Sequence, residues 1–339
     1  MSISPPHDPV ATATVPASMN AWLQDRYGDP GVVASRRIPV PSPRAGQVLL
    51  RLRATALNAG DVRVLRGTPY LVRLFFGVRR PRVPGRGMDV AGTVVASGPG
   101  VDWKPGDEVF GQLPGGGLAE YAVAAADRLT RRPATVSPAD AATLPVAGGT
   151  AWQALEPAGD LAGRRVLVLG ASGGVGSFTV QLAAARGAEV WATCGERNRA
   201  FVTALGASRV EDYRVTSVAD LPAASCDVVV DIAGTARLRD VRRVLRDGGT
   251  AVLVAGTGGD VVGPIPRLLA AVALSRRRRR LLPLAASPKG AIHRALAELV
   301  ERGDVRPAIE RTYPLTEAGA ALAHVDAGHT RGKIVVVPG

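Results

Sequence analysis

The residues with the clearest chemical purpose form the run Gly170-Ala-Ser-Gly-Gly-Val-Gly176. It fits A-x-G-x-x-G, with Ala171, Gly173 and Gly176 at the small-residue positions of a dinucleotide fingerprint. A tight strand-to-helix turn needs little side chain at Ala171. The missing side chain at Gly173 lets backbone N–H groups approach a pyrophosphate, and Gly176 lets helix and strand pack closely. Ser172, Gly174 and Val175 share this turn and are expected to line the same site. The first helical turn adds unpaired donors and a positive dipole end. A lone glycine motif carries little, but this one follows an apolar strand and opens a helix.

Cofactor choice turns on the end of the next strand, about 20 residues on, where an NAD enzyme places Asp or Glu for the ribose 2′-OH. Here the strand runs out as Thr193-Cys-Gly-Glu-Arg-Asn198. Cys194 and Gly195 hold the acid position, and Arg197, Asn198 and Arg199 follow. A guanidinium forks onto a 2′-phosphate that a carboxylate would repel. NADPH is therefore expected. Glu196 competes, because a one-residue shift makes it a ribose ligand and leaves NADH possible. Tyr213 is either a second member of the adenosine phosphate pocket or a capping aromatic at the sheet edge.

Other chemistries find few residues. The chain has two cysteines, Cys194 and Cys226, which form no disulfide framework. Of four histidines, His7 sits near the start, while His293, His324 and His329 fall on or beside expected surface helices. None has a visible partner for general-base work, so none is expected to be catalytic. No G-x-S-x-G or Walker motif occurs.

Around the fingerprint the texture is βαβ. Apolar strands are expected over 165–169, 189–193, 226–232 and 250–255, with helices over 175–186, 197–205 and 236–245. Gly187 and Gly206 close the first two helices. Alternation at this interval implies a doubly wound parallel sheet over 147–286. Residues 19–146 instead show short alternating strands cut by Gly and Pro, as in a β-rich, barrel-like domain. Residues 287–339 hold amphipathic helices over 292–302 and 317–327 and a closing strand, Lys333-Ile-Val-Val-Val337. The opening 1–18 reads as a disordered tail without the pattern of an export signal, which places the protein in the cytoplasm. With 46% hydrophobic but only 4% aromatic residues, the core must be built from Ala, Val and Leu. No apolar run is long enough to span a membrane.

A net charge of +13 raises anionic partners. The excess is arginine spread along the chain, with one run, Arg276 to Arg280, between apolar stretches. That run reads as a solvated loop or helix face, and no RNA-binding motif accompanies it.

The chain resembles the quinone oxidoreductase-like medium-chain dehydrogenase/reductases. Besides the fingerprint, the matching runs are Leu57-Asn-Ala-Gly-Asp61, Pro84-Gly-Arg-Gly-Met-Asp89-Val-Ala-Gly92, Pro105-Gly-Asp-Glu-Val109, Ala119-Glu-Tyr121 and Gly332-Lys-Ile-Val-Val-Val337. They occur in order from Met19 to Val337. The resemblance implies an α/β protein with a GroES-like β-rich catalytic domain, made from both chain ends, and a Rossmann domain between them. It also implies a homodimer. Zinc-dependent members carry a Cys where this chain has Asn58, Gly-His-Glu where it has Gly87-Met88-Asp89, and a four-Cys lobe. A catalytic zinc needs three protein ligands and a structural one four. Zinc-independent chemistry is therefore expected, with hydride delivered to an activated acceptor such as a quinone or an α,β-unsaturated carbonyl.

By the same resemblance Asn58 is a donor near the nicotinamide, or a residue bonding its own turn. Asp61 is a structural cap. Tyr70 donates a proton or lines the pocket, beside Phe75 and Phe76. Thr150 faces the nicotinamide ring, and Ala255-Gly-Thr257 passes beneath its amide. Lys333 reaches the cofactor or faces solvent. The competing reading is a non-catalytic NADPH-binding sensor, or an RNA-associated protein, on the same fold.

Overall fold

A computed structural model describes residues 15–254 and 261–338. Six segments form one parallel sheet: β1 (Arg165–Leu169), β2 (Glu189–Cys194), β3 (Arg209–Asp212), β4 (Cys226–Asp231), β5 (Leu245–Leu253) and β6 (Arg279–Pro283). Their spatial order is 3-2-1-4-5-6. The chain thus reverses its direction of progress between β1 and β4, where a crevice opens at the carboxyl ends of the strands. The central strands are unbroken Val and Leu runs because both faces are covered. Val166, Val168, Val228 and Val230 enter one core, while Leu167, Leu169 and Val229 enter the other.

A second sheet has seven strands, in the order Ile309–Pro314, Lys333–Val337, Gln47–Leu57, Asp89–Ser97, Glu108–Gln112 and Leu129–Arg131, with Tyr121–Ala125 also paired to Gln47–Leu57. The closing strand lies antiparallel to Gln47–Leu57, with Ile334 opposite Leu57. This register sets Lys333 beside Asn58, the residue that follows Leu57. A separate hairpin pairs Ser18–Gln24 with Val33–Pro39, so the first described strand begins at Ser18, one residue before Met19.

The Arg276–Arg280 run is a loop in its first part, as one of the two readings expects, since Arg277 and Arg278 form an exposed turn, but its end is strand. Arg279 and Arg280 open β6, the edge strand of the parallel sheet, and are not part of a helix face. The short, charged β3 and Ile309–Pro314 were not expected as strands, because neither shows an apolar run or clean alternation. Elsewhere the expected helices form at 174–185, 199–204, 238–244, 290–301 and 318–326.

At Gly176 the fold tolerates no side chain. A Cβ there would lie 2.2 Å from the Gly170 carbonyl oxygen and 2.7 Å from Ala171 Cα. Gly176→Ala should therefore cost about 1–3 kcal/mol in urea denaturation, because backbone must move. An unchanged midpoint would show that the helix does not need this close approach.

Candidate active site

The crevice holds two joined compartments. One, of about 610 Å3, is lined by Gly170, Ser172, Gly173, Thr193, Cys194 and Tyr213, among others. The other, of about 280 Å3, lies between the two sheets and is lined by Asn58, Ala147, Gly174, Val175, Ile232 and Lys333, among others. Gly173, His329 and Thr330 line both. The fingerprint loop therefore stands at the junction, where a diphosphate linking two nucleoside halves would lie. A Cβ at Gly173 would meet nothing within 4 Å, so a side chain would project into the space a ligand needs. The helix Gly174–Ala185 starts there with its donors facing the junction. The residues present fit a dinucleotide.

The loop is tied to the closing strand. Gly332 N donates to Ser172 O at 2.8 Å, and Gly173 and Gly332 form a parallel bridge. Arg197 Nη2 donates to His329 O at 2.8 Å from the other side. His329 adopts a left-handed backbone (φ 61°) at this crossing.

Beyond the loop lies a buried polar cluster. Lys333 Nζ donates to Asn58 Oδ1 and sits 3.8 Å from Asp89 Oδ2. Asn58 Nδ2 donates to Asp89 Oδ2 at 2.9 Å, and Val146 N donates to the same oxygen at 3.2 Å. Asp89 Oδ1 is buried with no partner. Asp61 accepts from Asn58 N at 2.9 Å and from Gly87 N at 2.8 Å, so it is the cap expected of it. Burial pushes the Asp89 carboxyl up to about 7 against the pull of Lys333, and pushes Asp61 up as well. Burial also lowers the Lys333 ammonium, with Asp89 and Asp61 opposing. The arrangement is a desolvated ammonium held by one amide and one carboxylate, at the wall of the smaller compartment. It can donate to an oxygen on which negative charge develops.

Other expected residues fall in different places. Ala171 is fully buried behind the turn and does not line the crevice. Thr150 does not face this compartment; it lines a small cavity with Gln153, Ala286 and Ser287. Tyr70 lines neither compartment. It is 49% exposed, with the Arg73 guanidinium 4.6 Å over its ring and Tyr27 beneath the same guanidinium. Arg199 is bound to Glu196 through contacts of 2.8–3.0 Å. In this structure Arg199 and Glu196 therefore satisfy each other at the surface. Asn198 is buried at the start of the helix Arg199–Ala204. Ala255, Gly256 and Thr257 lie outside the described residues.

The histidines also need correction. His293 is 2% exposed, against the segment Leu144–Gly149, and burial lowers its imidazole to about 4. His324 has partners, the Tyr313 hydroxyl at 2.9 Å and Glu310 at 3.7 Å. His329 belongs to the crevice. Sequence reasoning also passed over Arg214, whose Nη1 lies 2.9 Å from where a Cβ of Gly195 would stand and whose guanidinium sits 5.0 Å over Tyr213.

Residues 44–134 match the family model described as an alcohol dehydrogenase GroES-like domain, and residues 205–336 one described as a zinc-binding dehydrogenase. The chain is 39% identical over 335 residues to the chloroplast envelope quinone oxidoreductase homolog of Arabidopsis thaliana, covering 94% of this chain and 98% of that one. It is 31% identical over 343 residues to the NADPH-dependent alkenal/one oxidoreductase of the same plant, covering 97% and 82%. The solved quinone oxidoreductase from Coxiella burnetii superposes with a TM-score of 0.85 at 29% identity, covering 94% of this chain and 99% of that one.

Asp89 has a testable signature. Its folded value, about 7, stands above its ordinary 3.8, so the folded chain binds more protons between them. Its contribution to stability is then full below 3.8 and is lost as pH rises through about 7. Urea denaturation across that window should show the wild type losing stability relative to Asp89→Asn. A constant difference between the two would mean that Asp89 titrates as a solvated acid.

Proposed function

The chain belongs to the quinone oxidoreductase-like medium-chain dehydrogenase/reductases, and from that premise we propose that it reduces a quinone or an α,β-unsaturated carbonyl with NADPH and without zinc. The observation that carries this reading is the buried Lys333–Asn58–Asp89 cluster in the compartment joined to the fingerprint loop. When bound, the dinucleotide supplies a hydride from its nicotinamide. Ser172, Gly173, Gly174 and Val175 hold the diphosphate with backbone donors, and Lys333 with Gly332 closes that loop from the opposite sheet. Lys333 donates to the acceptor's carbonyl oxygen, where charge gathers as the hydride arrives. Its lowered proton affinity eases proton release to the product oxygen, and solvent in the crevice restores the proton. Asn58 fixes the ammonium's position. Asp89 favours its charged form.

NADPH over NADH is supported by Gly195, by the paired state of Glu196, and by Arg214 beside the larger compartment. Arg197 stands near but spends one nitrogen on His329. Zinc independence is supported by the donor set: among the described residues no three His, Cys, Asp or Glu gather to hold a metal. Cys194 and Cys226 are buried and separate, in β2 and β4. Among the described residues no helix is long and apolar enough to cross a membrane. The cytoplasm is the compartment proposed, and a homodimer the assembly, the latter from family resemblance. The sensor reading is not favoured, because a sensor has no use for a desolvated ammonium beside the cofactor.

Steady-state oxidation of NADPH with a panel of small quinones and enones tests the activity. Turnover should persist after dialysis against a chelator. Tight NADPH binding with no acceptor consumed would favour the sensor, and chelator-sensitive turnover would overturn the metal-free mechanism. Arg214→Ala should weaken NADPH binding about tenfold in a fluorescence titration while leaving NADH unaffected. Equal losses for both nucleotides would place Arg214 outside the phosphate pocket.

A further inference from the structure

Part of the larger compartment's wall is an irregular segment. Ala233, Thr235 and Ala236 line that compartment, and Ile232, just before them, lines the smaller one. Residues 232–237 join β4 to the helix Leu238–Val244 and belong to neither. No strand ladder or helical turn holds such a stretch, so its backbone groups must find partners elsewhere.

The start of the segment is fixed by β1 and β4. Ile232 N and Ala233 N both donate to the Leu169 carbonyl, at 3.0 and 3.1 Å, and Gly234 N donates to Asp231 Oδ1 at 2.8 Å. These bonds set the segment against the fingerprint turn, where a Cβ on Gly170 would already stand 3.2 Å from Ala233 N. The rest is held by a side chain from another element. Arg267, on the helix Ile265–Leu274, donates through Nε to the Gly234 carbonyl at 3.0 Å. Its Nη2 donates to the Ala236 carbonyl at 2.8 Å and also pairs with Asp231 Oδ2. One planar, rigid guanidinium therefore fixes the end of the segment relative to its start.

The pair is desolvated. Asp231 is fully buried and the Arg267 side chain is 13% exposed. Burial pushes the Asp231 carboxyl up, while the Gly234 N–H and the Arg267 guanidinium pull it down. Desolvation offsets much of the attraction in such a pair, so its definite contribution is geometric. Neither Arg267 nor Asp231 lines a compartment, and nor does any other residue of 265–274. Arg267 thus reaches a ligand in the crevice through the segment it holds.

We propose that Arg267 is a positioning residue for the dinucleotide. Through Asp231 and the Gly234 and Ala236 carbonyls it locks residues 233–236 into the wall that receives the adenosine half. The inference rests on the dinucleotide reading and adds to it the side chain that shapes this wall. Without the guanidinium fork the segment is free to move, and binding must order it, which weakens affinity. Ile232, the segment's contribution to the smaller compartment, is anchored by Leu169 and does not depend on Arg267. Affinity should therefore fall while reduction at saturating cofactor continues.

Fluorescence titration and steady-state kinetics of the full chain test this, with NADPH and with reduced nicotinamide mononucleotide, which lacks the adenosine half. Arg267→Lys keeps a cation beside Asp231 but cannot span the same acceptors. It should raise the Kd and KM for NADPH about tenfold, hold kcat at saturating NADPH within about twofold, and leave the KM for the mononucleotide unchanged. Asp231→Asn combined with Arg267→Gln removes both buried charges together and should show the same split. An unaltered NADPH Kd in the folded variants would overturn the proposal. So would an equal loss with the mononucleotide, which a general loosening of the fold would give, or a failure of both variants to fold. A wild type that binds no NADPH would overturn the dinucleotide reading and this proposal with it, whereas the other outcomes leave that reading standing.

Discussion

Lys333 is buried beside two aspartates at the seam where the two sheets meet, and the organisation of the site follows from keeping it there. An ammonium out of water is costly unless charge and hydrogen bonds compensate. Asn58 and Asp89 provide both, and each is fixed in turn. Asn58 ends one strand and starts the helix Ala59–Arg66, while Asp61 caps that start and holds Gly87. Asp89 opens the strand Asp89–Ser97 and also accepts from Val146, in the segment leading toward the parallel sheet. Removing one member leaves the others desolvated without compensation. The cluster is therefore both a structural joint and a chemical group.

The same joint depends on the strand Lys333–Val337. The closing strand inserts between Ile309–Pro314 and Gln47–Leu57, and its register delivers Lys333 to the cluster. Immediately before it, Gly332 meets the fingerprint loop, so one short segment touches both the diphosphate turn and the reacting end of the crevice. The two compartments consequently share their walls at Gly173, His329 and Thr330. A ligand long enough to fill both is positioned by elements from both sheets.

How much of this was legible depended on the range of the interactions. The fingerprint, its strand and its helix were readable because local backbone needs select glycine and alanine there. Lys333 was not resolvable between cofactor and solvent, because its burial depends on pairing with a strand far earlier in the chain. Asp89 drew notice only as a replaced zinc-ligand position, since nothing local shows that its carboxyl is desolvated. Two features were readable and passed over. Glu196 and Arg199 stand three apart at the start of a helix, a spacing that lets them pair. His293 shares a helix face with Leu296 and Ala297, which marks it as inward-facing.

The chain contains three lysines, Lys104, Lys289 and Lys333, and the first two are exposed. Nitrogen NMR of 15N-lysine-labelled protein can therefore follow the Lys333 ammonium directly, its signal identified by its loss in Lys333→Met. The account predicts that this signal titrates below the ordinary lysine value of 10.5 and moves when NADPH is added. A Lys333 signal that titrates at the ordinary value and ignores the nucleotide would contradict it.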